Sequence, residues 1–243
     1  AYGTFGNSNY LMQPYNSDLD FGTNDFSFMV WINPNNNAET GIILHRSAKN
    51  ISDGAWGGSG AIIQAEFNGT NLYGHVATDG FNTVYGPSVP YAKFANNTWT
   101  HYALVRRSGV LYAYVNGEEY SSAANTLTTT NTSAKLYIGQ RPVSTRPFNG
   151  RLSLFRASAT APSAEQIKKI YEDEKMLFQE NAKATLYGDS DAVTALAYDD
   201  DTELLHVGTS AGRSVFQGLR RIDNTTDAVG AAISASNGMV AED

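Results

Sequence analysis

The chain has 243 residues, 42% hydrophobic and only 17% charged, with a net charge of −7 and no cysteine. That is enough apolar material for one large core, or a core plus a small second unit, and it excludes a disulfide framework and any thiolate metal site. The acidic balance and the lack of a Lys/Arg run exclude the basic footprint of nucleic-acid binding, and no apolar run is long enough to cross a bilayer.

From Tyr2 to about Arg156 short alternating runs are punctuated by Gly, Asn, Asp and Pro, the pattern of an all-β sandwich or barrel. Phe26 to Ile32 alternates with period two and stops at Asn33-Pro34; Gly41 to His45 is a second strand. Ala61–Phe67 and Leu72–Val76 flank Asn68-Gly69, which reads as a type I′ hairpin turn. Trp99 to Val105 is apolar on both faces, as a strand inside a layered stack must be. Ser108-Gly109 turns the chain into Val110–Val115, and Asn116-Gly117 turns it again into Glu118-Glu119-Tyr120. Lys135–Gly139 and Gly150–Phe155 add two strands. The pairs Arg106-Arg107, Lys168-Lys169 and Arg220-Arg221 read as solvated faces.

One segment reads as a helix. Ser163 and Gln166 have capping-box spacing after Pro162, and Ile167, Ile170, Tyr171, Leu177 and Phe178 form an apolar stripe. After Asn181 four short strands are predicted at Ala184–Tyr187, Val193–Tyr198, Glu203–Val207 and Arg213–Phe216, like a single propeller blade. A lone blade leaves edges and an apolar face uncovered, which calls for further copies or other chains. Ala228–Val240 is rich in Gly, Ala and Ser and has little to bury. The domains expected are a sandwich over 1–160, a connecting helix over 161–182 and a small oligomerising β-rich region over 183–243. The start at Ala1-Tyr2-Gly3 and the end at Glu242-Asp243 read as those of a segment excised from a longer chain.

A series of features resembles the laminin-G-like branch of the concanavalin A-like lectin/glucanase superfamily. It comprises Leu19-Asp20-Phe21-Gly22-Thr23-Asn24-Asp25-Phe26-Ser27, Trp31-Ile32-Asn33-Pro34, Trp99-Thr100-His101-Tyr102-Ala103-Leu104-Val105-Arg106 and Leu111-Tyr112-Ala113-Tyr114-Val115-Asn116-Gly117. Leu136-Tyr137-Ile138-Gly139, Phe148-Asn149-Gly150 and the helix at Ser163–Ile167 complete it. The resemblance implies an antiparallel jelly-roll β-sandwich that binds glycans or proteins, in some members with calcium, for which Asp53 and Asp79 are the candidates. Where the family commonly has an acidic pair after the Asn-Gly, this chain has Ser153 and Leu154. The region from Lys183 to Asp243 resembles bacteriophage tail proteins, which implies a homotrimer in a virion appendage or another extracellular setting, in contact with other virion proteins and with a host-surface glycan or protein.

The chemistry expected is recognition without catalysis. A glycosidase needs two carboxylates about 5–10 Å apart, and no strand offers them. Glu172-Asp173-Glu174 falls on the helix, and Asp199-Asp200-Asp201 in a turn that accepts backbone hydrogen bonds. His45, His75, His101 and His206 lack metal-ligand spacing, and His101 reads as a packed core histidine. Trp56, set among Gly54, Gly57 and Gly58, is a candidate sugar-stacking platform or a loop tryptophan folded onto the sandwich. Arg46, Asp79, Asn82, Tyr85, Arg141 and Arg146 stand in neighbouring loops as candidate polar contacts. The competing expectations are a purely structural virion connector or decoration, and a polysaccharide-cleaving enzyme. No cofactor is called for.

Overall fold

The computed structural model describes residues 2–3, 5, 9–48, 61–77, 86–141, 146–179, 186, 188, 192–218, 220–227, 234–236 and 239–241. The chain divides into two compact units, Ala1–Tyr171 and Glu172–Asp243. The first therefore takes in most of the helix.

The strands of the first unit are β1 (Tyr2–Gly3), β2 (Leu11–Gln13), β3 (Phe26–Pro34), β4 (Thr40–Ser47), β5 (Ile62–Asn68) and β6 (Asn71–Ala77). They continue with β7 (Ser88–Pro90), β8 (Thr100–Arg107), β9 (Val110–Val115), β10 (Glu118–Ala124), β11 (Lys135–Ile138) and β12 (Gly150–Ser158). They form two six-stranded antiparallel sheets, β1-β12-β3-β8-β9-β10 and β2-β11-β4-β5-β6-β7. The fold is an all-β jelly-roll sandwich. Period-two alternation decides what lies between the sheets: Phe26, Phe28, Val30 and Ile32 from β3 and Leu104 from β8 meet Ile63, Ala65 and Phe67 from β5 and Leu72 and Val76 from β6.

The alternate residues of the first sheet are buried as well. Met29, Ala103, Val105 and Tyr114 pack with Ile167 of helix α1 (Ala164–Glu174) in a second core. This is why the strand after Trp99 is apolar on both faces: one face meets the other sheet and the other meets a helix. The capping box forms, with the Ser163 amide donating to Gln166 Oε1 at 2.8 Å and the Gln166 amide to Ser163 Oγ at 3.2 Å. Tyr171 stacks on Trp31 with ring centroids 5.7 Å apart, and His101 lies 5.3 Å from the same indole.

Two turns match the sequence expectation and one differs. Ser108-Gly109 and Asn116-Gly117 hold both central residues at positive φ, as type I′ requires. Of Asn68-Gly69 only Gly69 has positive φ; Asn68 instead accepts the amides of Thr70 and Asn71 on its side chain, both at 3.0 Å. The hairpin exists with a different turn, because an Asx-type bond holds it. In β12 a bulge between Ser153 and Arg156 places Leu154 at φ 48° on the surface and turns Phe155 toward the core.

Two arginines read as surface groups are interior. Arg106 is wholly buried and donates to the carbonyls of Gly22, Asn24 and Leu127 at 2.6–2.9 Å. Its guanidinium also lies 4.8 Å from the Phe26 ring. Arg46 belongs to β4, not to a loop, and its side chain is 1% exposed. It donates to the Thr129 carbonyl at 2.8 Å and to Asp20 Oδ1 at 3.1 Å. The fork of donors on each arginine satisfies loop carbonyls that no ladder reaches.

The second unit contains an antiparallel meander of β13 (Val193–Asp199), β14 (Leu204–Thr209), β15 (Gly212–Gln217) and β16 (Arg220–Thr225), and a hairpin of β17 (Ser234–Ser236) and β18 (Met239–Ala241). The predicted strand Ala184–Tyr187 lies largely outside the described residues. The fourth strand is Arg220–Thr225, which its charges concealed. Val207, Val215 and Phe216 on the middle strands are buried, while Val193, Leu196 and Tyr198 on β13 are exposed. Asp199 caps the turn after β13, accepting from the Asp201 amide at 3.0 Å and the Thr202 hydroxyl at 2.5 Å.

Candidate functional site

Register across the second sheet brings polar residues into one row. Tyr137 of β11 stands opposite His45 of β4, His45 opposite Gln64 of β5, and Gln64 opposite His75 of β6. Directly opposed residues share a face. Their neighbours Leu136, Leu44, Ile63 and Val76 fill the core, so this row lies on the outer face. Two places along β5, Glu66 faces the same way, opposite Tyr73.

His45 Nδ1 lies 2.5 Å from Gln64 Oε1, and His45 Nε2 lies 2.8 Å from Ser47 Oγ. Gln64 Oε1 is thus engaged, and its Nε2 is buried without a hydrogen-bond partner. Glu66 Oε2 and Gln140 Oε1 are in the same state. Such atoms cost roughly 1–3 kcal/mol each when left dry, which favours a ligand or water that supplies the missing partner.

The charges gather at Glu66. Arg141 Nη1 is 3.8 Å and Arg146 Nη1 3.9 Å from Glu66 Oε2. Burial raises the Glu66 pKa, and the two guanidinium groups oppose that rise. Burial also lowers Arg141 to about 10, against the pull of Glu66. His75 is lowered to about 4, chiefly by burial and secondarily by Arg141, so it is neutral at pH 7.

Of the residues singled out in the sequence, the fold brings Arg141 and Arg146 together, on either side of positions 142–145. Arg46 is not with them: it is committed to Asp20 and the 129–131 loop inside the fold. Trp56, Asp53, Asp79, Asn82 and Tyr85 lie outside the described residues. No group of three or more His, Asp or Glu able to hold a metal occurs among the described residues.

Gln64, Glu66 and His75 were missed by sequence reasoning. The signal was the alternation Ile63-Gln64-Ala65-Glu66-Phe67, polar side chains at every second place of an otherwise apolar strand. A histidine alone on β6 gave no such hint.

Comparison with known proteins bears on the fold. No curated protein matches the sequence. The binding domain of botulinum neurotoxin serotype G is similar in structure, with a TM-score of 0.53 and 12% identity over 85% of this chain and 52% of that one. A Bacteroides ovatus ATCC 8483 protein described as a putative carbohydrate binding protein aligns with a TM-score of 0.50 and 20% identity over 92% of this chain and 58% of that one. This chain thus spans little more than half the length of either. A heptameric SAP-like pentraxin of Limulus polyphemus aligns with a TM-score of 0.48 and 17% identity, over 70% and 78% of the two chains. The laminin-G-type family model of the concanavalin A-like lectin/glucanases superfamily matches residues 5–168, and with two stacked sheets of that architecture over the same residues, the chain belongs to this superfamily.

Proposed function

We propose that this chain is a non-catalytic carbohydrate-recognition module of an extracellular appendage, a phage tail fibre or similar virion structure, and that the outer face of the second sheet is its binding surface. The observation that carries the reading is the pair of buried side-chain atoms without a hydrogen-bond partner on Gln64 and Glu66, with Arg141 and Arg146 within 3.9 Å of the Glu66 carboxylate. Planar amide, carboxylate and guanidinium groups are what a sugar's paired hydroxyls require. Among the described residues the charges that act on Glu66 are the two arginines, whereas a hydrolase sets a second carboxylate across the scissile bond. The lectin-like fold supports the reading at the level of fold alone.

A glycan array probed with the full chain tests it. Binding that falls at least tenfold in Arg141→Ala and in Trp56→Ala supports the proposal. An array with no bound glycan, or release of reducing sugar from a bound polysaccharide, counts against it.

Assembly as a homotrimer is part of the same reading. It is supported by Val193, Leu196 and Tyr198, 53%, 64% and 57% exposed on one edge strand. Solution mass decides it: a monomer at micromolar concentration removes this part.

A further inference from the structure

A cavity of about 520 Å³ opens in the first unit where β3 ends, β4 begins and the chain enters β12. Its apolar side is Phe5 and Pro147; Phe148, also in the lining, is 2% exposed and belongs to the core, with its ring 6.3 Å from that of Phe5. Its polar wall is Asn35, Glu39 and Asn149. Its lining residues are distinct from those of the Gln64–Glu66–Arg141 face.

The polar wall is a relay. Asn35 Nδ2 donates to Asn149 Oδ1 at 3.0 Å, and Asn149 Nδ2 donates to Glu39 Oε2 at 2.9 Å. Asn36 Nδ2 holds the other Glu39 oxygen at 2.9 Å. The backbone locks the same pair, with the Asn35 amide donating to the Asn149 carbonyl at 2.9 Å. Each planar group is thereby fixed in orientation by a neighbour, although Asn35, Glu39 and Asn149 are all exposed. Fixed groups lose little entropy when they engage a ligand. The relay leaves Asn35 Oδ1, the second Asn149 amide hydrogen and the remaining Glu39 lone pairs available to the cavity.

We propose that this cavity is a second binding site and that its ligand is a neutral saccharide of one or two units. A partly exposed aromatic ring, Phe5, in the same lining as hydrogen-bonded amide and carboxylate groups fits a sugar ring, which offers C–H bonds to the one and hydroxyls to the other. Among the described residues, the only charged one in the lining is Glu39, which disfavours anionic ligands. A hard cation fits less well, because both Glu39 oxygens and Asn149 Oδ1 already accept amide N–H groups. The volume is within the range of small-molecule pockets.

The test is titration of the full chain with cellobiose, maltose, lactose and mannobiose, and with digalacturonate as the anionic counterpart, followed by the Asn35 and Asn149 side-chain amide resonances. At least one neutral disaccharide is expected to shift both resonances, with affinity reduced tenfold or more in Asn149→Ala and in Glu39→Ala and unchanged in Arg141→Ala. Thr40→Tyr, which fills the exposed rim without removing a relay partner, is expected to abolish binding and decides the matter if Asn149→Ala fails to fold. The proposal is overturned if none of the four moves those resonances, if digalacturonate alone does, if Thr40→Tyr binds as well as the parent, or if Arg141→Ala abolishes the shifts. That last result places the ligand on the other face. Loss of array binding in Arg141→Ala with these shifts intact separates this site from the first.

Discussion

Arg46 meets Asp20 at 3.1 Å with its own side chain 1% exposed. Burial pulls the arginine pKa down and Asp20 pulls it back. A buried ion pair of this kind adds little over a well-packed apolar pair, but removing one partner strands the other. Arg46→Ala is therefore expected to cost about 3–5 kcal/mol in urea unfolding. Asp20 also accepts the Asn131 amide at 2.9 Å, so the variant should loosen residues 129–131, read as faster amide exchange there.

Ile167 is the helix residue most fully enclosed by the second core. Ile167→Ala is expected to lower stability by about 2–4 kcal/mol, from lost transfer energy and the cavity left behind. Near-ultraviolet circular dichroism should change with it, since Trp31 packs in one cluster with Tyr171 and His101.

Gly117 sits at φ 81°, and a Cβ there would stand 3.0 Å from Lys168 Cα and 3.2 Å from Tyr171 Cβ. Gly117→Ala thus meets both backbone strain and the helix. A loss of roughly 1–3 kcal/mol is expected in thermal unfolding. Asn116→Gly, at the neighbouring positive-φ position, should cost less.

His75 has its pKa lowered from the ordinary 6.5 to about 4 in the folded chain. The unfolded chain then binds the proton more readily, so stability falls as the pH drops from about 6.5 to about 4 and levels off below. The ceiling on this contribution is on the order of 3 kcal/mol. Glu66 is raised instead, so its contribution is present at low pH and is lost as the pH rises through its folded value. Unfolding free energies across pH 4 to 7 should show the His75 slope in the parent and a flatter curve in His75→Gln.

The sandwich was legible because its alternation, turns and capping box are local signals. Phe26–Ile32, Ser108-Gly109, Asn116-Gly117 and Ser163–Gln166 each state their conformation within a few residues. The candidate face was less legible. The row Tyr137, His45, Gln64, His75 exists only through register across four strands, and a bulge between Ile42 and Leu44 shifts that register in a way composition does not announce. Arg46 was misplaced because a charged residue at the end of a strand is ordinarily solvated. Only the fold reveals that the carbonyls at 129 and 131 need it.

The seating of Ile167 and Tyr171 against the first sheet also fixes where this molecule can be cut. A fragment ended at residue 160 would leave Met29, Val105 and Tyr114 facing water and would invite self-association through that face. A fragment carried through Tyr171 keeps Ile167 over that face, so the helix acts as the lid of the sandwich.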